Sequence, residues 1–294
     1  MDNRISDSGN FPKVIILDTT NYCNLKCSMC GHPTMTRPQG KMSMSLYRKA
    51  IDEIAVKDKD ARVWLVFFGE PLILKYQMYW QILYAKRKGL TDVVLNSNGN
   101  LLNEDACLGL IESGLDAIYI GIDAFKKETY EQLRVGGNYE RVVANVNSLL
   151  RFKKEMGVSK PEVFVQYVEM DRNQAEVKYF AEYWTKQGAT VKVRPKVTWA
   201  GTVKSWNTKE IDRYPCYWVM RTMVVGWDGR VVLCAVDFDA KFVAGDINNN
   251  SLQSIWQGSL KEIRDMQSQG KYELLPTFCR DCTDWQMARA KYSD

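Results

Sequence analysis

Six short runs of β-branched and aromatic residues recur between residues 14 and 196, and an amphipathic stretch of helical length separates each from the next. The runs predict strands at Val14–Thr20, Arg62–Phe68, Asp92–Ser97, Ala117–Asp123, Glu162–Met170 and Thr190–Lys196. The intervening periodicity predicts helices over about Ser45–Ala55, Tyr76–Lys88, Glu104–Ser113, Tyr139–Met156 and Gln174–Gln187. Parallel neighbours need a crossover between them, so the alternation dictates βαβ units and a parallel sheet. The expected fold is α/β, a partial (β/α)6 barrel. Periodicity alone leaves an open doubly wound sheet as the alternative. In either, ligands gather at the carboxyl ends of the strands.

The texture changes near residue 197. Residues 1–12 are expected to be an N-terminal extension, 13–200 the barrel, and 201–294 a linker followed by a smaller unit. Gly201, Asn207 and Pro215 mark Val197–Pro215 as a loop. Arg221–Val225 and Arg230–Cys234 flank Trp227-Asp228-Gly229, where the Asp-Gly signal predicts a β-hairpin. A helix is expected over about Ser251–Gln267, then a loop carrying Cys279 and Cys282. So small a unit has a weak core, which a metal cluster would reinforce.

Eight cysteines accompany a single histidine, His32. No segment has the length of an apolar span, and residues 1–12 lack the apolar stretch of a signal peptide. A cytoplasmic chain is therefore expected, with its cysteines in metal or redox chemistry rather than disulfides. The formal charge is +5 without a basic stripe, so neither nucleic acid nor membrane is an expected partner.

Cys23-Asn-Leu-Lys-Cys27-Ser-Met-Cys30 lies just past the first predicted strand. At this cysteine content a random CxxxCxxC is expected about 0.006 times in the chain. Three close thiolates can hold three corners of an iron–sulfur cube and leave the fourth iron for a ligand. On this segment alone, zinc with His32 as fourth ligand remains an alternative.

The motif resembles that of the radical S-adenosylmethionine (SAM) superfamily. The resemblance implies a [4Fe–4S] cluster on Cys23, Cys27 and Cys30, SAM on its open iron, and a 5′-deoxyadenosyl radical that takes hydrogen from a substrate. Phe68-Gly69-Glu70-Pro71 resembles the family's Gly-Gly-Glu-Pro, with Phe68 in place of the first glycine. It implies that Gly69 and Glu70 meet the SAM amino group. Asn98 and Asp123 are similar to strand-end residues that face SAM, and Arg134 to an arginine that pairs with its carboxylate. Gln166 is a further SAM-facing candidate. Downstream, Cys216, Gly229, Cys234 and the pair Cys279/Cys282 resemble the auxiliary domains called SPASM and twitch. The resemblance implies a second [4Fe–4S] cluster on those four cysteines, and the spacing is similar to that of the inosamine dehydrogenase of aminoglycoside biosynthesis. Two such clusters would bring the net charge to about +2.

The substrate is then expected between SAM and the second cluster, near Arg194, Lys196 and Trp199 and near Tyr217, Trp218, Arg221, Asp237 and Asp239. Arg194, Lys196 and Asp237 are the catalytic candidates. These groups suit a small polar substrate such as a sugar, aminosugar or cyclitol, oxidised by two electrons from alcohol to ketone with the auxiliary cluster as acceptor. An external one-electron reductant such as flavodoxin or ferredoxin is implied. The alternatives are a sugar epimerase, for which Cys107 is the one cysteine left as hydrogen donor, a peptide or protein maturase, and a non-enzymatic metal-binding module. Only 22 residues precede Cys23, so a maturase would be expected to rely on a partner for peptide recognition.

Overall fold

The computed structural model describes residues 9–204 and 211–289; Asn207 and most of the expected N-terminal extension lie outside them. The barrel runs β1 (Val14–Leu17), α1 (Met44–Lys57), β2 (Arg62–Trp64), α2 (Tyr76–Arg87), β3 (Val93–Ser97), α3 (Glu104–Glu112), β4 (Ala117–Gly121), α4 (Lys127–Leu133), α5 (Tyr139–Glu155), β5 (Glu162–Glu169), α6 (Val177–Gln187) and β6 (Thr190–Pro195). Ser43, Asn103 and Asn138 cap α1, α3 and α5, each side chain accepting from a backbone N–H of the first turn. Gly188 ends α6 in the left-handed conformation that lacks a Cβ penalty.

After these come α7 (Tyr217–Arg221), β7 (Thr222–Val225), β8 (Arg230–Val232), β9 (Val243–Asp246), α8 (Leu252–Gln257), α9 (Ser259–Ser268) and α10 (Thr277–Arg280). The nine strands of the described residues form one sheet in the order β6-β5-β4-β3-β2-β1-β7-β8-β9. The first six are parallel and build the partial barrel. β7 then pairs parallel with β1, placing Val14 beside Thr222 and Leu17 beside Val225. β8 and β9 continue antiparallel from it.

Several elements depart from expectation. β1 and β2 stop at Leu17 and Trp64, short of Thr20 and Phe68, because side chains replace the ladder there: Thr19 Oγ1 donates to Leu65 O, and Phe68 N donates to Asp18. The expected helix over Ser251–Gln267 is broken at Gly258, whose φ and ψ of −96° and −115° are not helical. α4 and β9 carry no periodic signal long enough to read, and β9 meets β8 through a register shift at Val231/Val232.

The main core lies between the sheet and its helices, where Ile15, Val63, Leu95, Ile118 and Val165 are buried. Inside the barrel, Trp64, Tyr119 and Phe164 form an aromatic floor; the last two rings stack at 4.4 Å. Polar strand-end groups lie above that floor. Among the described residues, no helix is long and apolar enough to cross a membrane.

Candidate active site

The loop after β1 carries Cys23, Cys27 and Cys30, and all three line one cavity of about 160 Å³ at the carboxyl ends of the strands. Asn21 shapes the loop: its side chain accepts from Gly40 N and donates to Pro38 O. Lys26 N and Ser28 N donate to Val135 O and Leu133 O, which ties the cysteines to the end of α4. Gly69 is required by close approach, since a Cβ there would lie 2.1 Å from Thr20 O. Burial pushes the thiols up, Cys23 to about 11 and Cys30 to about 12. Bound metal would reverse that preference by stabilising thiolate.

His32 lines the cavity beside the cysteines, and its backbone N donates to Cys30 Sγ at 3.4 Å, but its ring is engaged elsewhere. Its Nε2 bonds Asn21 O at 2.8 Å, so that nitrogen acts as a donor. Among the described residues, no three Cys, His, Asp or Glu side chains converge on a point that one ion could occupy. A cube needs no such point, because each of its thiolates binds a separate iron.

The cavity wall is a hydrogen-bonded frame. Glu70 is buried, and its carboxylate accepts from Leu72 N, Ser97 Oγ and Asn98 N. Burial raises its pKa, against those three donors and the Arg134 charge. Asn98 donates to Asn24 in the cysteine loop. Asp123, at φ +62°, receives Arg134 Nη2 at 2.6 Å and Nε at 2.9 Å. Arg134 also reaches to 4.0 Å from Cys27 Sγ. Burial opposes its charge, but Asp123 and Cys27 outweigh it and raise the guanidinium pKa. Gly121 leaves room for that side chain: a Cβ would meet Arg134 Nη2 at 2.0 Å.

The second cysteine site is closed. Cys216, Cys234, Cys279 and Cys282 line one small cavity with Trp218, Phe278 and Trp285. Gln267, fully buried on α9, accepts from Cys216 N and donates to Cys279 Sγ at 3.4 Å. Asp284 N donates to Cys282 Sγ at 3.3 Å, and Arg213 Nη2 lies 3.9 Å from Cys279 Sγ. Sequence reasoning missed Gln267 and Arg213. Gln267 was hidden within a helix pattern, and Arg213 within a loop.

Between the sites lies an outer cavity of about 280 Å³. It shares with the first cavity the wall made by Phe68, Asn96, Gln166, Arg194 and Trp199. Tyr217 and Trp218 line its far side, and Trp218 also lines the four-cysteine cavity. Phe68 sits between Trp199 and Phe238, with ring centroids at 4.8 and 5.1 Å. Lys196 lines the first cavity only. Asp237 lines none of these cavities; its carboxylate accepts from Lys241 N and Phe242 N and holds a turn. Asp239 likewise clamps Thr36 and Arg37 of the first cysteine loop. Arg221 stacks on Tyr217 outside the cavity lining.

Comparison with known proteins decides the family. The model of the radical SAM superfamily matches residues 17–160, and that of an iron–sulfur cluster-binding SPASM domain matches 216–283. The chain belongs to the radical SAM superfamily. It is a radical SAM enzyme with a SPASM domain, and its cofactors are SAM and [4Fe–4S] clusters. The tungsten-containing aldehyde ferredoxin oxidoreductase cofactor-modifying protein of Pyrococcus furiosus is 25% identical, over 60% of this chain and 49% of its own. The AdoMet-dependent heme synthase of Methanosarcina barkeri is 31% identical over 48% of this chain and 40% of its own. The chain thus spans about half the length of such curated relatives.

Solved structures share the fold. BtrN, in complex with AdoMet and 2-DOIA, superposes with a TM-score of 0.63 at 18% identity, covering 92% of this chain and 93% of its own. Streptococcus suis SuiB, bound to the precursor peptide SuiA, gives 0.73 at 12% identity, covering 93% and 71%. The donor set of this radical SAM chain suits the cofactors: three thiols could hold a cube beside a polar cavity, and four enclosed thiols could hold a second.

Proposed function

We propose that Cys23, Cys27 and Cys30 hold the cluster that binds SAM, that Cys216, Cys234, Cys279 and Cys282 hold the auxiliary cluster, and that the enzyme oxidises an alcohol of a small sugar, aminosugar or cyclitol in the outer cavity. When bound, SAM with its cluster supplies hydrogen-atom abstraction, and the auxiliary cluster supplies one-electron acceptance. The observation that carries this reading is Trp218, which walls both the outer cavity and the four-cysteine cavity.

Each protein group then has a task. Gly69 lets the cysteine loop approach β2, and Arg134, fixed by Asp123, presents its charge toward the SAM carboxylate. Glu70 acts through the frame it anchors, its oxygens being taken by protein donors, while the Gln166 and Asn98 side chains line the SAM cavity. Phe68 and Trp199 exclude water between the two cavities. Turning a carbinol into a ketone removes one hydrogen atom, one proton and one electron. Lys196 lines the adjoining first cavity rather than the outer one, and burial lowers its pKa; of the three candidates it is the one left to take the proton, across the wall the two cavities share. Asp237 is spent on its turn, and Arg194 stays charged. An external one-electron reductant such as flavodoxin or ferredoxin completes the system.

Cys107 weakens the epimerase reading. It is buried on α3, its Sγ directed to Leu102 O and Asn145 O, and it lines none of these cavities. The deciding experiment supplies candidate alcohols to reduced, cluster-reconstituted enzyme in heavy water. Alcohol oxidation gives 5′-deoxyadenosine and a product about two mass units lighter. An isobaric product with one solvent deuterium at the reacting carbon would mean epimerisation instead.

A further inference from the structure

The outer cavity has an unusual charge. Along β6, Lys192 and Arg194 alternate inward, while Val191 and Val193 pack against the core. Arg62, Lys192 and Arg194 all line the cavity, and among the described residues no aspartate or glutamate does. Two of these cations already have company. Arg62 pairs with Asp92 at 2.7 Å, and Lys192 stands over the Tyr119 ring at 5.4 Å.

Arg194 does not. Its Nε is buried without a hydrogen-bond partner among the described residues. Burial lowers its pKa, and the nearby Arg134 charge adds to that effect, against Asp123 and Cys30. Asp123 is engaged by Arg134, and Glu70 by its three donors, so neither carboxylate is free to turn toward it. Arg194 as a whole is half-buried, and a buried guanidinium nitrogen without an acceptor is costly unless something brings it one. Arginine's planar fork fits two-oxygen anions especially well. Its position, on the wall shared by both cavities, puts that acceptor beside the site of hydrogen abstraction.

We propose that the substrate carries a carboxylate or phosphate group and that Arg194 binds it in the outer cavity. This rests on the outer cavity being the substrate site, and it narrows the substrate class to acidic or phosphorylated polyols. An aminosugar would add positive charge to a cavity that already holds three cations and is therefore disfavoured.

The test uses cluster-reconstituted, SAM-loaded enzyme under anaerobic conditions and four ring-matched probes: glucose, glucosamine, glucuronate and glucose 6-phosphate. Calorimetry measures their binding to wild type, Arg194→Gln and Arg194→Lys. At least one anion is expected to bind tenfold or more tightly than glucose, with glucosamine weakest. The two anionic arms tell carboxylate from phosphate recognition. Arg194→Gln should reduce the anion to the level of glucose, and Arg194→Lys should keep the order if the glutamine variant fails to fold. The inference is overturned by no anion binding, by glucose or glucosamine matching both anions, or by a preference that survives in Arg194→Gln. It is also overturned if Arg194→Gln loses SAM affinity while the probe order stays unchanged. Wild-type product mass tests the oxidation reading separately: an anion can bind as expected and still give no product two units lighter.

Discussion

Cys23, Cys27 and Cys30 are half-buried on a loop that opens into a cavity with both polar and apolar walls, whereas Cys216, Cys234 and Cys279 are buried and, with the half-buried Cys282, share a cavity with aromatic rings. The first site is braced from outside, by backbone bonds from the cysteine loop to the end of α4 and by Glu70 bonding Ser97 and Asn98. Sulfurs are braced at both: His32 N donates to Cys30 Sγ at the first, and Gln267 Nε2 and Asp284 N donate to Cys279 Sγ and Cys282 Sγ at the second. An open site can exchange a ligand. A sealed one, with every corner occupied, is suited to passing electrons. The contrast teaches that exposure and wall chemistry, beyond cysteine count, would separate the two tasks proposed for these sites.

Deleting a ligand from each site should break the comparison most sharply. Cys27→Ala should abolish 5′-deoxyadenosine formation and lower iron from about eight to about four per chain. Cys234→Ala should still cleave SAM when reduced but fail to complete oxidation. Equal loss of SAM cleavage in both variants would mean that the two sites are not functionally distinct.

The next largest effect is expected at the open site's scaffold. Gly69→Ala forces a Cβ to within 2.1 Å of a backbone oxygen in the cysteine loop. Iron analysis after reconstitution should show loading falling toward about four, with the sealed site intact. Full loading would show that the loop can shift without losing its ligand geometry.

Arg134→Ala sharpens the electrostatic half of the contrast. Losing a charge-assisted contact should weaken SAM binding by about 1–3 kcal/mol, read by titration of the reconstituted enzyme. Unchanged affinity would restrict Arg134 to its pairing with Asp123.

At the sealed site the corresponding change is subtler. The Gln267 N–H to Cys279 sulfur favours the more electron-rich, reduced cluster, so Gln267→Leu should lower the auxiliary midpoint potential by tens of millivolts. SAM cleavage should continue. Redox titration followed by electron paramagnetic resonance checks the shift, and an upward shift would reverse the assigned polarity. Smallest of all, Cys107→Ala should cost about 1 kcal/mol in stability and leave turnover intact, because its thiol fills helix packing rather than either site.

The sequence by itself determined the alternation that builds the parallel barrel, because strand and helix periodicities are local and repeat six times. It also determined both cysteine patterns, the first of them improbable by chance, the strand-end positions of Gly69 and Asn98, and the place of Gln166 on the fifth strand, all three of which line the first cavity. Tertiary structure decided what depends on distant partners. β7 lies parallel beside β1 although some 200 residues separate them, a pairing no local periodicity encodes. Phe68, read only as a departure from a glycine, becomes part of an aromatic wall with Trp199 and Phe238. In the sequence, Arg194 near the last strand and Asp237 beside the second cysteine set are equal candidates. Folding ties Asp237 to two backbone amides and leaves Arg194 Nε without a partner among the described residues, because hydrogen-bond satisfaction is settled only when all neighbours are in place.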